Sequence, residues 1–320
     1  MCTNKLFKAF MAMSIICVIL LSMNTSTSCL VKEKNKILVL LPTSTNKFWQ
    51  AVRDGATKAG TELSGKFEVL IRTGEEDTDA AGQESLLRGF LAEPDVVALV
   101  IGPASASAPA PMVAEYIKAG KKVVVIDSAL DQDILDKLNV HVDATIVSDN
   151  ELGGELAGKE LVRKLGAGEH RIIMVEGDPV HESARARKSG FQKTIPTSYI
   201  VDYLPGSWRS DIARSSVADY LSIYNIEGLF AASDEMALGA IAAIVNKTEL
   251  KDNWPIIIGY DATIEGLKEI SSGRMWASVK QDAEGLGERG VLTAAGIIEG
   301  EIKPDKEGLF IKLEVRLIHR

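Results

Sequence analysis

The residues able to hold a small molecule gather at the carboxyl ends of apolar runs of strand length. Asn46-Lys47-Phe48-Trp49 follows the run Lys36–Pro42, and Asp127-Ser128 closes the run that starts at Lys121. Ser183-Ala184-Arg185 lies beyond His170–Glu176, Trp208 beyond Tyr199–Leu204, and Ser233-Asp234 beyond Gly228–Ala232. Pro255–Asp261 ends on Asp261, and Trp276–Lys280 runs into Gln281. The set comprises flat aromatic faces, two separated carboxylates, one arginine and neutral hydrogen-bonding groups. Indole and phenyl faces cover the weakly polar C–H faces of a ring. Asp, Asn, Gln and Arg hydrogen-bond hydroxyls, and each charge-assisted bond nets roughly 1.5–3 kcal/mol. The chemistry suits a neutral, hydroxyl-rich molecule, held at micromolar affinity or better after the cost of association.

Each of these residues also has a plainer role open to it. Asn46 could cap the helix that follows it. Phe48 and Trp49 could be core residues of that helix, and Arg185 a solvated helix charge. Asp127 and Asp261 could be turn residues. Asp149 and Asn150 read as caps that pin a chain crossing, and Asp234 and Glu235 as acids favoured at a helix start.

The elements that must position them alternate along the chain. The strand-length runs, with Lys66–Arg72 and Val96–Gly102 among them, are rich in Val and Ile and nearly continuous rather than alternating. Strands buried on both faces of a parallel sheet read this way. Between them lie segments of helical periodicity such as Phe48–Leu63, Asn150–Leu165 and Asp282–Ile298, with Ser183, Ser210, Ser233 and Asp282 as capping candidates. Repeated β-α units predict an α/β fold of doubly wound parallel sheets. About ten such units are too many for one sheet of ordinary width, so two lobes are expected. No Gly-, Ser- or Pro-rich tether separates them. Open sheets of this kind bind ligands at the carboxyl ends of their strands.

Composition narrows the partners. The chain has 320 residues and a net charge of −8, from 36 Lys+Arg against 44 Asp+Glu. Without a basic run it makes a poor nucleic-acid binder. Cys2, Cys17 and Cys29 are its only cysteines, so the rest of the chain has no disulfide, cysteine nucleophile or thiolate metal site. The four histidines are scattered without metal-type pairing, and neither a metal nor a cofactor is expected. Gly285-Leu286-Gly287-Glu288-Arg289-Gly290 matches a dinucleotide-binding string, but it falls inside a helix rather than in a strand-to-helix turn.

Residues 1–28 read as an export signal: Lys5 and Lys8, the apolar stretch Ala9–Met23, then Thr25-Ser26-Thr27-Ser28 before Cys29. The apolar part is shorter than the ~20 residues a spanning helix needs. Cys29 stands where bacterial lipoproteins carry their lipid-modified cysteine, although Ser26 replaces the usual aliphatic residue. An exported protein of the periplasm or cell envelope, anchored by a lipid on Cys29, is expected.

At these residues the chain resembles the ribose-binding-protein family, exported type 1 solute-binding proteins that feed sugars to ABC transporters. The resemblance rests on Asn46-Lys47-Phe48-Trp49 with Asp54-Gly55, Val125-Ile126-Asp127, Ser148-Asp149-Asn150 with Gly153-Gly154, Ser183-Ala184-Arg185 with Gly190-Phe191, Ser233 through Gly239, and Gly259-Tyr260-Asp261. It covers nearly all of the chain from about Lys36 to Val315. It implies two lobes, residues 36–148 plus 282–311 and residues 149–281 plus 312–320, joined by a hinge of three crossings near Ser148/Asp149, Gln281/Asp282 and Ile311. It implies ligand contacts from Asn46, Phe48, Trp49 and Asp127 on the first lobe, from Arg185, Trp208, Ser233 and Asp261 on the second, and from Gln281 at the hinge. Two positions depart from the ribose-type pattern: Ser128 stands where an arginine is common and Ser233 where an asparagine is. Both exchanges leave room for a different or bulkier sugar. The implied function is capture of a sugar or sugar-like molecule by a monomer, without chemical change, and delivery to a membrane permease. A receptor for a sensor kinase or chemoreceptor would share the clamp, and a sugar-processing enzyme would need Asp127 and Asp261 as a catalytic pair.

Overall fold

The computed structural model describes residues 34–247 and 253–319. Residues 1–28, expected to be an export signal, and Cys29 lie outside the described residues. From Asn35 the chain runs through β1 (Asn35–Leu41), α1 (Lys47–Glu62), β2 (Phe67–Thr73), α2 (Ala80–Leu91), β3 (Val96–Ile101), α3 (Ala110–Lys118), β4 (Lys122–Ile126), α4 (Gln132–Lys137) and β5 (Ala144–Ser148). It continues through α5 (Asn150–Leu165), β6 (Arg171–Glu176), α6 (Glu182–Gln192), β7 (Ile200–Pro205), α7 (Ser210–Leu221), β8 (Gly228–Ala231), α8 (Asp234–Val245), β9 (Ile256–Asp261), α9 (Ile264–Ser272) and β10 (Ala277–Lys280). The last elements are α10 (Ala283–Glu299), β11 (Leu309–Leu313) and β12 (Arg316–His319).

Two six-stranded sheets result, in the orders β11-β5-β4-β3-β1-β2 and β12-β10-β9-β8-β6-β7. All pairings are parallel except β12 against β10. The expectation of two parallel-sheet α/β lobes is met, for the reason given by the sequence. Ile37–Leu41 and Val123–Ile126 are completely buried, because helices cover both faces of the first sheet. The core of the second lobe joins α5, β6, β8 and α8 through Leu161, Ile173, Phe230 and Ile244. The helix α10 crosses back to the first lobe, where Leu286, Val291 and Ala294 pack with Val52 and Ala56 of α1. The glycine string falls within α10, and a Cβ at Gly287 would overlap the backbone oxygen of Val52. Gly287 thus serves packing of α10 on α1, and Gly290 packing on the sheet against Val100 and Ile126.

The chain crosses between sheets at Ser148/Asp149 and at Gln281/Asp282. The third crossing is at Glu314–Val315 rather than near Ile311: Leu313 still pairs with Ser148, and Arg316 already pairs with Lys280. Asp149, Ser233 and Asp282 cap their helices, accepting from the backbone N–H of Leu152, Met236 and Gly285 at 3.3, 3.2 and 3.1 Å. Ser183 and Ser210 do not cap; they lie inside helices whose N-caps are His181 and Arg209. Among the described residues no helix is long and apolar enough to cross a membrane.

Candidate functional site

The carboxyl ends of the two sheets face each other across a cavity with about 390 Å³ of empty space, part of it open to solvent. The first lobe lines it with Asn46, Phe48, Trp49, Asp77 and Asp127, the second with His181, Ser183, Arg187, Trp208, Ser233 and Asp261, and the hinge with Gln281. Eight of the nine residues expected from the sequence are brought together here. Arg185 is not.

Asn46 has both of the roles open to it. As the N-cap of α1 its Oδ1 accepts from the Phe48 N–H at 2.9 Å, while Nδ2 donates to Asp77 Oδ2 at 3.4 Å. Phe48 and Trp49 meet edge to face with centroids 5.1 Å apart, and both are buried. The Trp49 indole N–H donates to Asp77 Oδ1 at 2.8 Å, which locks the ring. Burial holds the Asp77 carboxyl above the ordinary range, although both donors oppose the shift.

On the opposite lobe Trp208 has an equivalent arrangement. Its N–H donates to His181 Nδ1 at 3.1 Å. That bond requires the His181 tautomer that carries its proton on Nε2, and burial lowers the imidazole pKa, which favours the neutral ring. Both indoles rest on glycine. A Cβ at Gly102 would come 2.6 Å from Trp49 Cη2, and one at Gly177 would overlap Trp208 Cη2.

Three lining residues have left-handed backbones: Asp127 at φ 70°, Trp208 at φ 63° and Asp261 at φ 105°. Such conformations cost of order 1–3 kcal/mol each and persist where the surroundings fix them. At Asp127 the backbone N–H is held by Ile146 O at 2.9 Å. At Asp261 the neighbouring loop is tied down by Asp234, which accepts from the Thr263 N–H at 2.7 Å, the Thr263 hydroxyl at 3.0 Å and the Ser278 hydroxyl at 2.7 Å. Asp234 is thus more than an acid at a helix start; it fixes the segment that carries Asp261.

Arg187 is the cation of the cavity. Its Nε donates to Asn150 Oδ1 at 2.9 Å and its Nη1 to Ala232 O at 2.6 Å. The guanidinium lies over the Tyr260 ring at 3.8 Å and 5.3 Å from the Trp208 centroid. Asn150, read as a hinge pin, orients this arginine. Arg185 points elsewhere: it is exposed and donates to Pro179 O at 2.5 Å. Two residues along a helix turn the side chain by about 200°, so the face that presents Arg187 cannot present Arg185. Ser183 and Arg187, four apart, share the inner face. That face is set by close packing of α6 on α5, where a Cβ at Gly154 would overlap Arg187 O and one at Gly190 would overlap Glu151 O.

Burial pushes Asp127 up to about 7, against the pull of Arg187. Burial also raises Asp261, again opposed by Arg187. Sequence reasoning did not single out Asp77, His181 or Arg187, and it named Ser183 at its strand end without assigning it a ligand contact. The i,i+4 spacing of Ser183 and Arg187 was the available signal for the last pair.

The lobes touch around the rim. Ala106 N–H donates to Val180 O at 2.9 Å. Ser128 Oγ accepts from the Glu182 N–H at 3.1 Å and the Ser183 N–H at 3.4 Å, so a side chain of the first lobe satisfies the open start of a helix in the second. Arg209 reaches Glu76 at 3.4 Å.

Residues 37–302 match the model of a family described as a periplasmic binding protein domain. The chain belongs to this family. It is 30 % identical over 289 residues to the ribose import binding protein of Haemophilus influenzae, covering 88 % of this chain and 91 % of that one. It is 27 % identical over 290 residues to the D-ribose/D-allose-binding protein of Pseudomonas aeruginosa, covering 89 % of each. Among solved structures, an ABC transporter solute-binding protein from Burkholderia multivorans aligns with a TM-score of 0.82 at 27 % identity, over 89 % of this chain and 99 % of that one. One from Actinobacillus succinogenes with bound D-allose shares the fold, with a TM-score of 0.81 at 22 % identity over 89 % and 98 % of the two chains. Periplasmic binding proteins of the ribose-binding type are thus this chain's relatives in sequence and in fold.

Proposed function

We propose that the chain captures a monosaccharide-like molecule between its lobes and delivers it, unaltered, to the permease of an ABC transporter. One observation carries this: an indole from each lobe, Trp49 and Trp208, converges with Asp127, Asp261 and Arg187 on one cavity. Aromatic faces take the C–H faces of the ring and charged groups take its hydroxyls. The ligand residues are Asn46, Phe48, Trp49, Asp127, Trp208, Ser233, Asp261 and Gln281, with Arg187 in the place expected for Arg185. Closure follows because contacts from both lobes stabilise the closed form over the open one. Relatives named for ribose import and for binding of ribose and allose support the sugar class and the transport role. The first lobe comprises the segment from residue 36 to 148 with the return through α10 and β11, and the second the remainder. The protein works as an exported monomer, tethered by a lipid on Cys29.

The decisive experiment is a thermal-shift screen of pentoses, hexoses, polyols and nucleosides. A true ligand at 100-fold its dissociation constant should add about 2.7 kcal/mol. If no member of any class shifts the transition, and equilibrium dialysis detects no binding, the proposal fails. Intact mass after mild detergent extraction tests the anchor, which requires added diacylglycerol.

A further inference from the structure

If this cavity holds a sugar-like ligand, its walls carry more carboxyl groups than cations, an imbalance that an uncharged guest does not offset. Three carboxylates line it, from Asp77, Asp127 and Asp261, against the one guanidinium of Arg187 and no lysine. Arg187 is largely committed already, to Asn150 and to Ala232 O, with Asp261 Oδ1 3.9 Å from Nη1. Asp77 is satisfied by Trp49 and Asn46, and Asp261 accepts from Gln281 Nε2 at 2.6 Å.

Asp127 is different. It is 7 % exposed, and among the described residues its carboxylate has no protein donor. Gln281 supplies an independent second observation. It is 3 % exposed, its Nε2 is spent on Asp261, and its buried Oε1 has no partner. Asp127 stands on one lobe and Asp261 on the other, so closing the lobes gathers like charges in a water-poor space. An unpaired carboxylate there is costly. A polyol supplies O–H donors but no charge. An ammonium supplies three N–H donors, no acceptor and one positive charge.

We propose that the ligand is a polyhydroxylated amine, an amino sugar or amino polyol, whose ammonium is met by the unpaired acceptors Asp127 and Gln281 Oε1. Arg187, His181 Nε2–H and the Ser183 and Ser233 hydroxyls then serve its oxygens, and the indoles cover its C–H faces.

The test is calorimetric titration of the purified protein at pH 7 with D-glucosamine, D-galactosamine, D-mannosamine and 1-amino-1-deoxy-D-sorbitol. Each amine is paired with its parent sugar or polyol, and the N-acetyl hexosamines serve as uncharged controls. At least one amine should bind roughly tenfold or more tightly than its parent. Asp127→Asn, which keeps the shape and removes the charge, should cut that preference below about threefold while retaining cooperative thermal unfolding. Parents that bind as tightly as or more tightly than their amines overturn the inference and leave the sugar-binding reading intact. Failure of amines and parents alike overturns the inference, while the sugar-binding reading is overturned only by failure of the wider screen of pentoses, hexoses, polyols and nucleosides.

Discussion

Arg187 Nη1 lies 3.9 Å from Asp261 Oδ1, with 4 % and 8 % of the two side chains exposed. This guanidinium stands among the cavity carboxylates and stacks on Tyr260. Arg187→Ala should abolish any ligand-induced thermal shift. It should also destabilise the unliganded fold by up to about 3–5 kcal/mol, the usual cost of stripping one partner from a buried pair. Arg185→Ala, two positions away on the exposed face, should leave both quantities within about 0.5 kcal/mol of the parent. Equal loss of binding in the two variants would reject the assignment.

The buried acids also give the unliganded protein a pH signature. Burial raises Asp127 to about 7 and moves Asp77 and Asp261 upward. The folded state then holds protons that the unfolded chain has released, so stability is largest near the ordinary carboxylate pKa of about 4 and is lost as pH rises toward 7. His181 opposes this: its lowered pKa costs stability as pH falls through and below about 6.5. It is one group against these three and Asp234, which burial also raises, so the acids should dominate. The unfolding temperature should be higher at pH 5 than at pH 7.5, by a difference worth on the order of a few kcal/mol. Asp127→Asn should flatten the slope. A profile that rises steadily from pH 5 to 7.5 contradicts the burial of these groups.

The sequence revealed the strand ends far better than the faces of the helices. Asp127, Asp261 and Gln281 follow buried Val- and Ile-rich runs, and a parallel sheet sends whatever follows such a run to the ligand edge. Trp208 was recognisable as a large aromatic in a loop. The phase of α6 was not legible, since Arg185 and Arg187 fit one helix equally well. Choosing between them requires knowing that Gly154 and Gly190 clamp α6 onto α5. Asp77 lies after β2, a strand end that carried no motif, and it matters only because Trp49 folds over to reach it. The strands β5, β11 and β12 and the helix α9 were also missed. The two edge strands are short and half exposed, with Phe310 62 % exposed in β11, so they lack the continuous apolar signal of the central strands.

The seats of the two indoles are a sensitive test of cavity shape. Gly102→Ala places a methyl group against the Trp49 ring, and Gly177→Ala places one against Trp208. Each should push an indole into the space meant for ligand. Overpacking of this kind costs about 1–3 kcal/mol of stability, which a protein of this size should survive with its circular dichroism spectrum unchanged. Ligand affinity measured by calorimetry should fall at least about tenfold. Unchanged affinity in both variants would place the indoles outside the binding surface.

Ser128 tests closure rather than contact. It does not line the cavity, yet its hydroxyl accepts two backbone N–H groups at the start of α6 across the gap between lobes. On the proposed closing motion those donors turn to water when the lobes part, which confines the bond to the closed form. Ser128→Ala should therefore weaken ligand binding by about 0.5–1.5 kcal/mol, a factor of roughly 2–10. The loss should appear mainly as faster dissociation in stopped-flow measurements, because the bond forms after the ligand has entered. Small-angle scattering should show the liganded variant shifted toward the open form. A slower association rate with unchanged dissociation would instead assign Ser128 to the encounter step, and the closure role would be lost.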